Sequence, residues 1–205
     1  MKYTGKKTAV FLTGIFLGCV WLSGCRAGND RVFPPSRSEI YVDHQGVLYT
    51  ALVENYDADN TAYNIEELRQ MAQQEMEGHQ GVTLTDCTME DGAAAVVYQY
   101  TDGEALVRFT KETQDEENHV ESIQTMTVME GLAARTILDG VWTDAKKGQP
   151  VDRDKVMKKN KMRLVCVDGD ALIQTGGTIR YYSGAVTLED FDTARVHGTA
   201  YLIYQ

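Results

Sequence analysis

The stretch Met162–Gln205, MRLVCVDGDALIQTGGTIRYYSGAVTLEDFDTARVHGTAYLIYQ, decides the fold. Valine, leucine, isoleucine and tyrosine alternate there with polar residues, the period-two pattern of half-buried strands. The spacing predicts MRLVCV and ALIQT, joined by a tight turn at Asp168-Gly169-Asp170. TIRYYS, AVTL, ARVHG and AYLIYQ follow at short intervals, so the chain is expected to end in a β-meander.

Working back from this block, residues 146–161 are polar, with a capped segment from Asp152 expected as a short basic helix. Residues 125–138 fit either helix or strand, and 114–121 (QDEENHVE) reads as a solvated acidic loop. Asp102 is placed to cap a helix from Gly103 to Glu112, with Leu106, Val107 and Phe109 inward. GVTLTDCTM and AAAVVYQY flank Glu90-Asp91-Gly92, a hairpin pattern. The clearest amphipathic helix follows Asn64, which forms a capping-box pattern with Glu67 and has Gly78 as its stop. Its expected inner face is Ile65, Leu68, Met71, Ala72 and Met76. EIYV and VLYTALVE around Asp43-His44-Gln45-Gly46 make an N-terminal hairpin. These elements define an α+β class: antiparallel sheets with an N-terminal hairpin, one clear amphipathic helix plus shorter helices, and a C-terminal β-meander. The sequence holds no internal repeat.

At the other end, Lys2, Lys6 and Lys7 precede an uncharged, mostly apolar run from Thr8 to Leu22. That run is shorter than the roughly 20 residues a spanning helix needs, and small residues follow it, so it reads as a signal peptide. Leu22-Ser23-Gly24-Cys25 resembles the lipobox of bacterial lipoproteins. The resemblance implies cleavage between Gly24 and Cys25 and a diacylglycerol on the Cys25 thiol. Two acyl chains on one cysteine anchor stably where a single chain is marginal. The expected organisation is a signal peptide over 1–24, a flexible tether over 25–38 and one α+β domain over 39–205, with a sub-boundary near 140–160. The expected location is the extracytoplasmic face of the cell membrane.

Cleavage leaves 181 residues, enough for a real core. The signal takes three of the 20 basic residues and none of the 30 acidic ones, so the remainder carries −13. That balance argues against nucleic acid as a partner, and against anionic headgroups as an attraction for the chain as a whole. Lys155, Lys158, Lys159, Lys161 and Arg163 are the local exception, readable as a solvated helix face or as a contact for anionic wall polymers or headgroups. Export leaves Cys87 and Cys166 either as a disulfide or as two small core residues.

YVDHQGVLYTALVENYDADNTAYNIEELRQMAQQEME looks like the opening of a group of small uncharacterised lipoproteins from Gram-positive anaerobes. YTDGEALVRF and GTIRYYSGAV…AYLIYQ resemble later parts of the same group. The resemblance spans most of the chain after Cys25 and implies fold and habitat; it carries no activity.

Candidate sites remain. Asp57-Ala58-Asp59-Asn60 starts like a calcium loop, but Ala62 stands where the turn glycine belongs and Leu68 where the bidentate glutamate belongs. His44, His79, His119 and His197 have no zinc spacing, so no metal or cofactor is expected. No nucleophile elbow occurs, and no pair of carboxylates stands out among thirty. Tyrosines recur on the predicted strands (Tyr41, Tyr49, Tyr98, Tyr100, Tyr201, Tyr204 and the adjacent Tyr181 and Tyr182). Tyr181 and Tyr182 must point to opposite faces, so one of them is a candidate binding ring for a glycan or an envelope protein. The expected role is a non-enzymatic binding or scaffolding module. The alternatives are a small envelope hydrolase using paired acids, or an accessory subunit of an envelope complex.

Overall fold

The computed structural model describes residues 33–56, 64–136 and 140–205. The expected signal peptide, Gly24, Cys25 and the calcium-like Asp57–Asn60 sequence lie outside the described residues. The protein is mixed α and β. Its strands are β1 (Glu39–Val42), β2 (Leu48–Asn55), β3 (Val82–Glu90), β4 (Ala93–Tyr100), β5 (Ser122–Thr127), β6 (Trp142–Asp144), β7 (Gln149–Val151), β8 (Arg163–Thr175), β9 (Ile179–Leu188) and β10 (Thr193–Tyr204). The helices are α1 (Ile65–Met76), α2 (Gly103–Glu112), α3 (Val128–Ala133) and α4 (Arg153–Met157).

Local chemistry explains the first elements. At the β1–β2 turn, Asp43 Oδ1 accepts from the backbone N–H of Gln45 and of Val47, both at 2.8 Å, and Gly46 takes φ +85°. Asp91 and Gly92 both have positive φ between β3 and β4, as a type I′ hairpin requires. Asp102 Oδ1 accepts from Ala105 N at 2.8 Å, and α2 buries Leu106 and Phe109, with Val107 half-buried. α1 is capped differently from the expected box: Asn64 accepts from Glu66 N at 2.9 Å. Its apolar stripe runs through Ile65, Leu68, Ala72 and Met76. Met71 sits on the stripe's rim, one residue (about 100°) from Ala72, and is 65 % exposed.

All the strands join one mostly antiparallel sheet in the order β3-β4-β2-β1-β8-β10-β9-β6-β7, with β5 beside β8. β1 runs parallel to β8 at Ile173–Thr175, while β5 pairs antiparallel with Arg163–Asp168. The two therefore share one edge of β8, and β10 fills the other along its whole length.

Two expectations about this block are corrected. Asp168-Gly169-Asp170 is not a turn: β8 runs straight through it, with Gly169 opposite Gly198 of β10. The six short runs are three long strands, and they form no meander, because β10 lies between β8 and β9. Strands β8 and β9 thus run in the same direction yet are linked only by Gly176-Gly177-Thr178. Ile179 pairs with Tyr204, whose other neighbour is Arg163, twelve residues back along β8. Twelve extended residues span about 40 Å, and a three-residue link cannot bridge that gap across a flat sheet. The three strands must coil until their ends meet. Thr175 N donates to Asp192 O near the start of β10, and Thr178 N donates to Gln205 O just past its end. Both ends of β10 thus reach the same corner. A Cβ on Gly176 would lie 2.6 Å from His44 N, and one on Gly177 would lie 2.5 Å from the Gln205 carbonyl carbon.

Coiling gives the sheet an inner and an outer face. The inner face carries Ile40, Val42, Val96, Tyr100, Val165, Val167, Ile173 and Leu202, covered by α1 and α2. The outer face of β8 and β10 carries Leu164, Tyr201 and Ile203, covered by Trp142, Val128, Val156 and Met157 from β6, α3 and α4. A third cluster (Tyr49, Ala51 and Val97) is covered by Phe33, which stacks on Tyr41 at 4.3 Å between ring centroids. The packed unit therefore begins at Phe33, and Phe33–Ser38 of the expected tether belong to it. Arg37 binds Glu189 at 2.7 Å, and Ser38 Oγ accepts from Val53 N at 3.0 Å.

Gly184 of β9 has φ +98°, and a Cβ there would run into the Thr199 carbonyl oxygen. Gly184→Ala is expected to lower the unfolding free energy by at least about 2 kcal/mol. Trp142, the sole tryptophan after Cys25, is fully buried and reports unfolding by fluorescence in a urea titration.

Candidate functional site

The sequence-predicted residues are not brought together. Tyr181 and Tyr182 do point to opposite faces, but each is half-buried: Tyr181 packs against the outer core and Tyr182 against the inner one. Tyr49, Tyr98, Tyr100, Tyr201 and Tyr204 are buried. Their rings fill cores, and the hydroxyls of Tyr98, Tyr100 and Tyr204 find partners within the fold. Tyr98 donates to Glu75 at 2.7 Å and Tyr204 to Asp43 O at 2.6 Å.

Cys87 and Cys166 are free thiols. The sheet order puts β3 and β8 four strand steps apart, about 19 Å. Their side chains also face different cores. No disulfide can join them without dismantling the sheet between.

The histidines are likewise dispersed. His79 meets Glu112 at 3.0 Å, His197 meets Asp170 at 2.8 Å, and His44 lies in the exposed β1–β2 turn. Among the described residues, no group of three or more His, Cys, Asp or Glu side chains is arranged to hold a metal ion.

A polar concavity lies where the end of α2 meets the 114–121 loop and the Gly169-Asp170 step of β8. It is a cleft of about 540 Å³ lined in part by Lys111, Asp115, His119, Glu121 and Asp170. A second hollow, of about 720 Å³, continues along α2 and shares Lys111 and Glu121. Buried Thr110 donates to Leu106 O at 3.0 Å, and its oxygen lies 3.2 Å from His119 Nδ1. This contact orients the ring. Asp115 is pushed above the usual carboxylate range by burial, and hydrogen bonds from Asn118 partly oppose the shift. Asn118 is fully buried, and its Nδ2 donates both to Asp115 Oδ2 at 2.8 Å and to Ala51 O at 3.1 Å.

The 114–121 segment is therefore not the solvated loop expected. Buried Asn118 and Val120 pin it to the sheet, and Asp115 is committed to holding it there. Alternating buried and exposed residues in an irregular loop leave no period to read, so acidity was the only visible signal.

The second feature is an outer layer made by α3, the β6–β7 turn, α4 and the loop into β8. Val128 N donates to Met162 O and Met129 N to Asn160 O, at 3.0 and 3.1 Å, stitching α3 to that loop. Asp152 accepts from Asp154 N at 2.8 Å and starts α4 as the sequence predicts. Val156 and Met157 turn inward, so Lys155, Lys158, Lys159 and Lys161 are left on the solvent side. Arg163 is half-buried, and its Nε donates to His44 O at 3.3 Å.

No protein-family model, curated protein or solved structure matches the chain.

Two outcomes follow from this geometry. Burial pushes the Cys166 thiol up to about 12 and raises Cys87 as well. In a Cys19→Ser, Cys25→Ser chain, both thiols should react with a maleimide at pH 8 at least about 100-fold slower when folded than in denaturant. Mobility with and without reductant should be the same. Asn118→Ala should destabilise by about 3 kcal/mol, because it strands the buried Ala51 carbonyl and the half-buried Asp115 carboxylate. Denaturant unfolding measures that loss.

Proposed function

We propose that the protein is a lipid-anchored component of the cell envelope whose folded unit works by binding rather than catalysis. The observation that carries the first half is Leu22-Ser23-Gly24-Cys25 standing eight residues before Phe33, where packing begins. Seven residues, Arg26–Val32, then link an acylated cysteine to the fold, a reach of at most about 25 Å. The domain would sit against its membrane, outside the cytoplasm.

Binding is favoured by how the reactive groups are spent. Asp115 holds a loop, Asp170 meets His197, and the tyrosines fill cores. What remains exposed is surface of a kind suited to contact: the basic outer layer, and the groove of about 420 Å³ where α1 crosses β2 and β4. A second reading, a small envelope hydrolase, draws on one observation, the raised Asp115 carboxyl lining the same cleft as His119.

Cys25→Ser should abolish acylation, leaving unprocessed precursor or protein released to the medium. Metabolic labelling with a fatty acid, followed by membrane fractionation, tests this directly. Normal lipid labelling and membrane retention of that variant would sink the proposal.

A further inference from the structure

We infer that the outer layer built by α3, the β6–β7 turn and α4 is a membrane-contacting face for bilayers rich in anionic lipid, an inference that rests on the lipid-anchor reading above. Three observations converge on it.

The first is charge. Between Lys146 and Arg163 the chain carries eight basic residues and two acidic ones, Asp152 and Asp154, a net +6. The rest of the chain after the signal carries nine basic and 28 acidic residues, or −19. The protein is thus sharply bipolar, and its positive pole is one contiguous segment. Lys146, Lys147, Lys155, Lys158, Lys159 and Lys161 are all exposed.

The second is the apolar surface among those charges. Of the five large apolar side chains exposed among the described residues, three belong to this layer: Met129 at 58 %, Leu132 at 37 % and Val141 at 73 %. Met129 is tied to the loop carrying Lys159 and Lys161 by its backbone bond to Asn160. Val141 precedes Trp142, which pairs with Val151 just before α4. Lysines around protruding apolar side chains suit a headgroup region, where the charge meets phosphate and the apolar group enters the acyl boundary. A soluble anionic polymer would use the lysines and leave Met129, Leu132 and Val141 in water.

The third is the direction from which the chain arrives. In β8, Leu164 and Cys166 face the outer core, and Gln174, an even number of residues on, pairs with Tyr41. Phe33 stacks on Tyr41, so the chain from Cys25 joins the fold on the same face of the sheet as the basic layer. A short link from an acylated cysteine brings this face toward the bilayer, and not the face covered by α1 and α2.

The test uses the full processed chain on vesicles of neutral phosphatidylcholine, with and without one third phosphatidylglycerol. Flotation with neutral vesicles reports the acyl anchor alone. Brief lysine acetylation, read by peptide mass spectrometry, then reports the face. Lys155, Lys158, Lys159 and Lys161 are expected to be acetylated at least about threefold more slowly on the anionic vesicles, with protection lost in 0.5 M salt. Lys111 on α2 should be acetylated equally on both. Met129→Ser with Val141→Ser should weaken the protection, and an unchanged Trp142 emission would show that this variant is folded. Equal rates on both vesicles, equal protection of Lys111, or equal protection by soluble polyglycerol phosphate would each overturn the inference. Should the chain fail to float with neutral vesicles, the lipid-anchor reading falls, and flotation with anionic vesicles alone then decides the face.

Discussion

The fold hangs on the Gly176-Gly177 corner, where three strands coil tightly enough for both ends of β10 to meet. Three residues link two strands that run the same way with a third between them, a connection a flat sheet could not close. The coil is permitted because side chains are missing where backbones press together. At the corner itself, His44 and Gln205 leave no room for a Cβ. Farther along, Gly169 faces Gly198 across β8 and β10, and Gly184 lies against Thr199, so the bend is spread over all three strands. Tyr204 then fastens the β1–β2 turn to the end of β10 by donating to Asp43 O.

Coiling also determines what must cover what. The concave face takes α1 and α2, and the convex face is closed by two separate patches, one from the chain around Phe33 and one from α3, β6 and α4. With both faces buried, β10 reads as an almost continuous apolar run at its end, AYLIY, and its tyrosines are core residues, Tyr204 donating to Asp43 O. An exposed tyrosine face was a fair expectation for a sheet solvated on one side. This sheet is covered on both sides at those positions.

Local rules were legible in the sequence and long-range ones were not. Asp43–Gly46, Asp91-Gly92 and the Asp102 cap each act within a few residues, and the elements they set appear as read, α2 to its terminal residues. Asp168-Gly169-Asp170 has the same composition as a hairpin turn. It failed as a signal because glycine serves a bend between paired strands as well as a reversal. Nothing within a dozen residues could distinguish the two uses. The strand order β8-β10-β9 was hidden for the same reason: neighbouring runs suggest neighbouring strands, and only the corner's geometry excludes a meander. Phe33 beside two prolines looked like tether, because its partners Tyr41, Tyr49 and Val97 are known only once β1, β2 and β4 are aligned. The buried Asn118 was masked by the acids around it.

Charge gives the two halves of the molecule different tasks. Taken as a total, −13 for the chain after the expected signal peptide says that an anionic surface repels it. Divided by position, the same residues put +6 between Lys146 and Arg163 and −19 elsewhere. On the lipid-anchored reading proposed above, repulsion would act as an orienting force as well as a penalty, turning the acidic bulk outward while Lys155, Lys158, Lys159 and Lys161 face in. A compact unit of this size has a radius of roughly 20 Å, so on that reading a link of at most about 25 Å would keep it within its own width of an acylated Cys25. Within that radius the Debye length, about 8 Å at physiological salt, limits the field to whichever face is nearest. Such an anchor would set the distance, and at that distance the local charge would count instead of the net one.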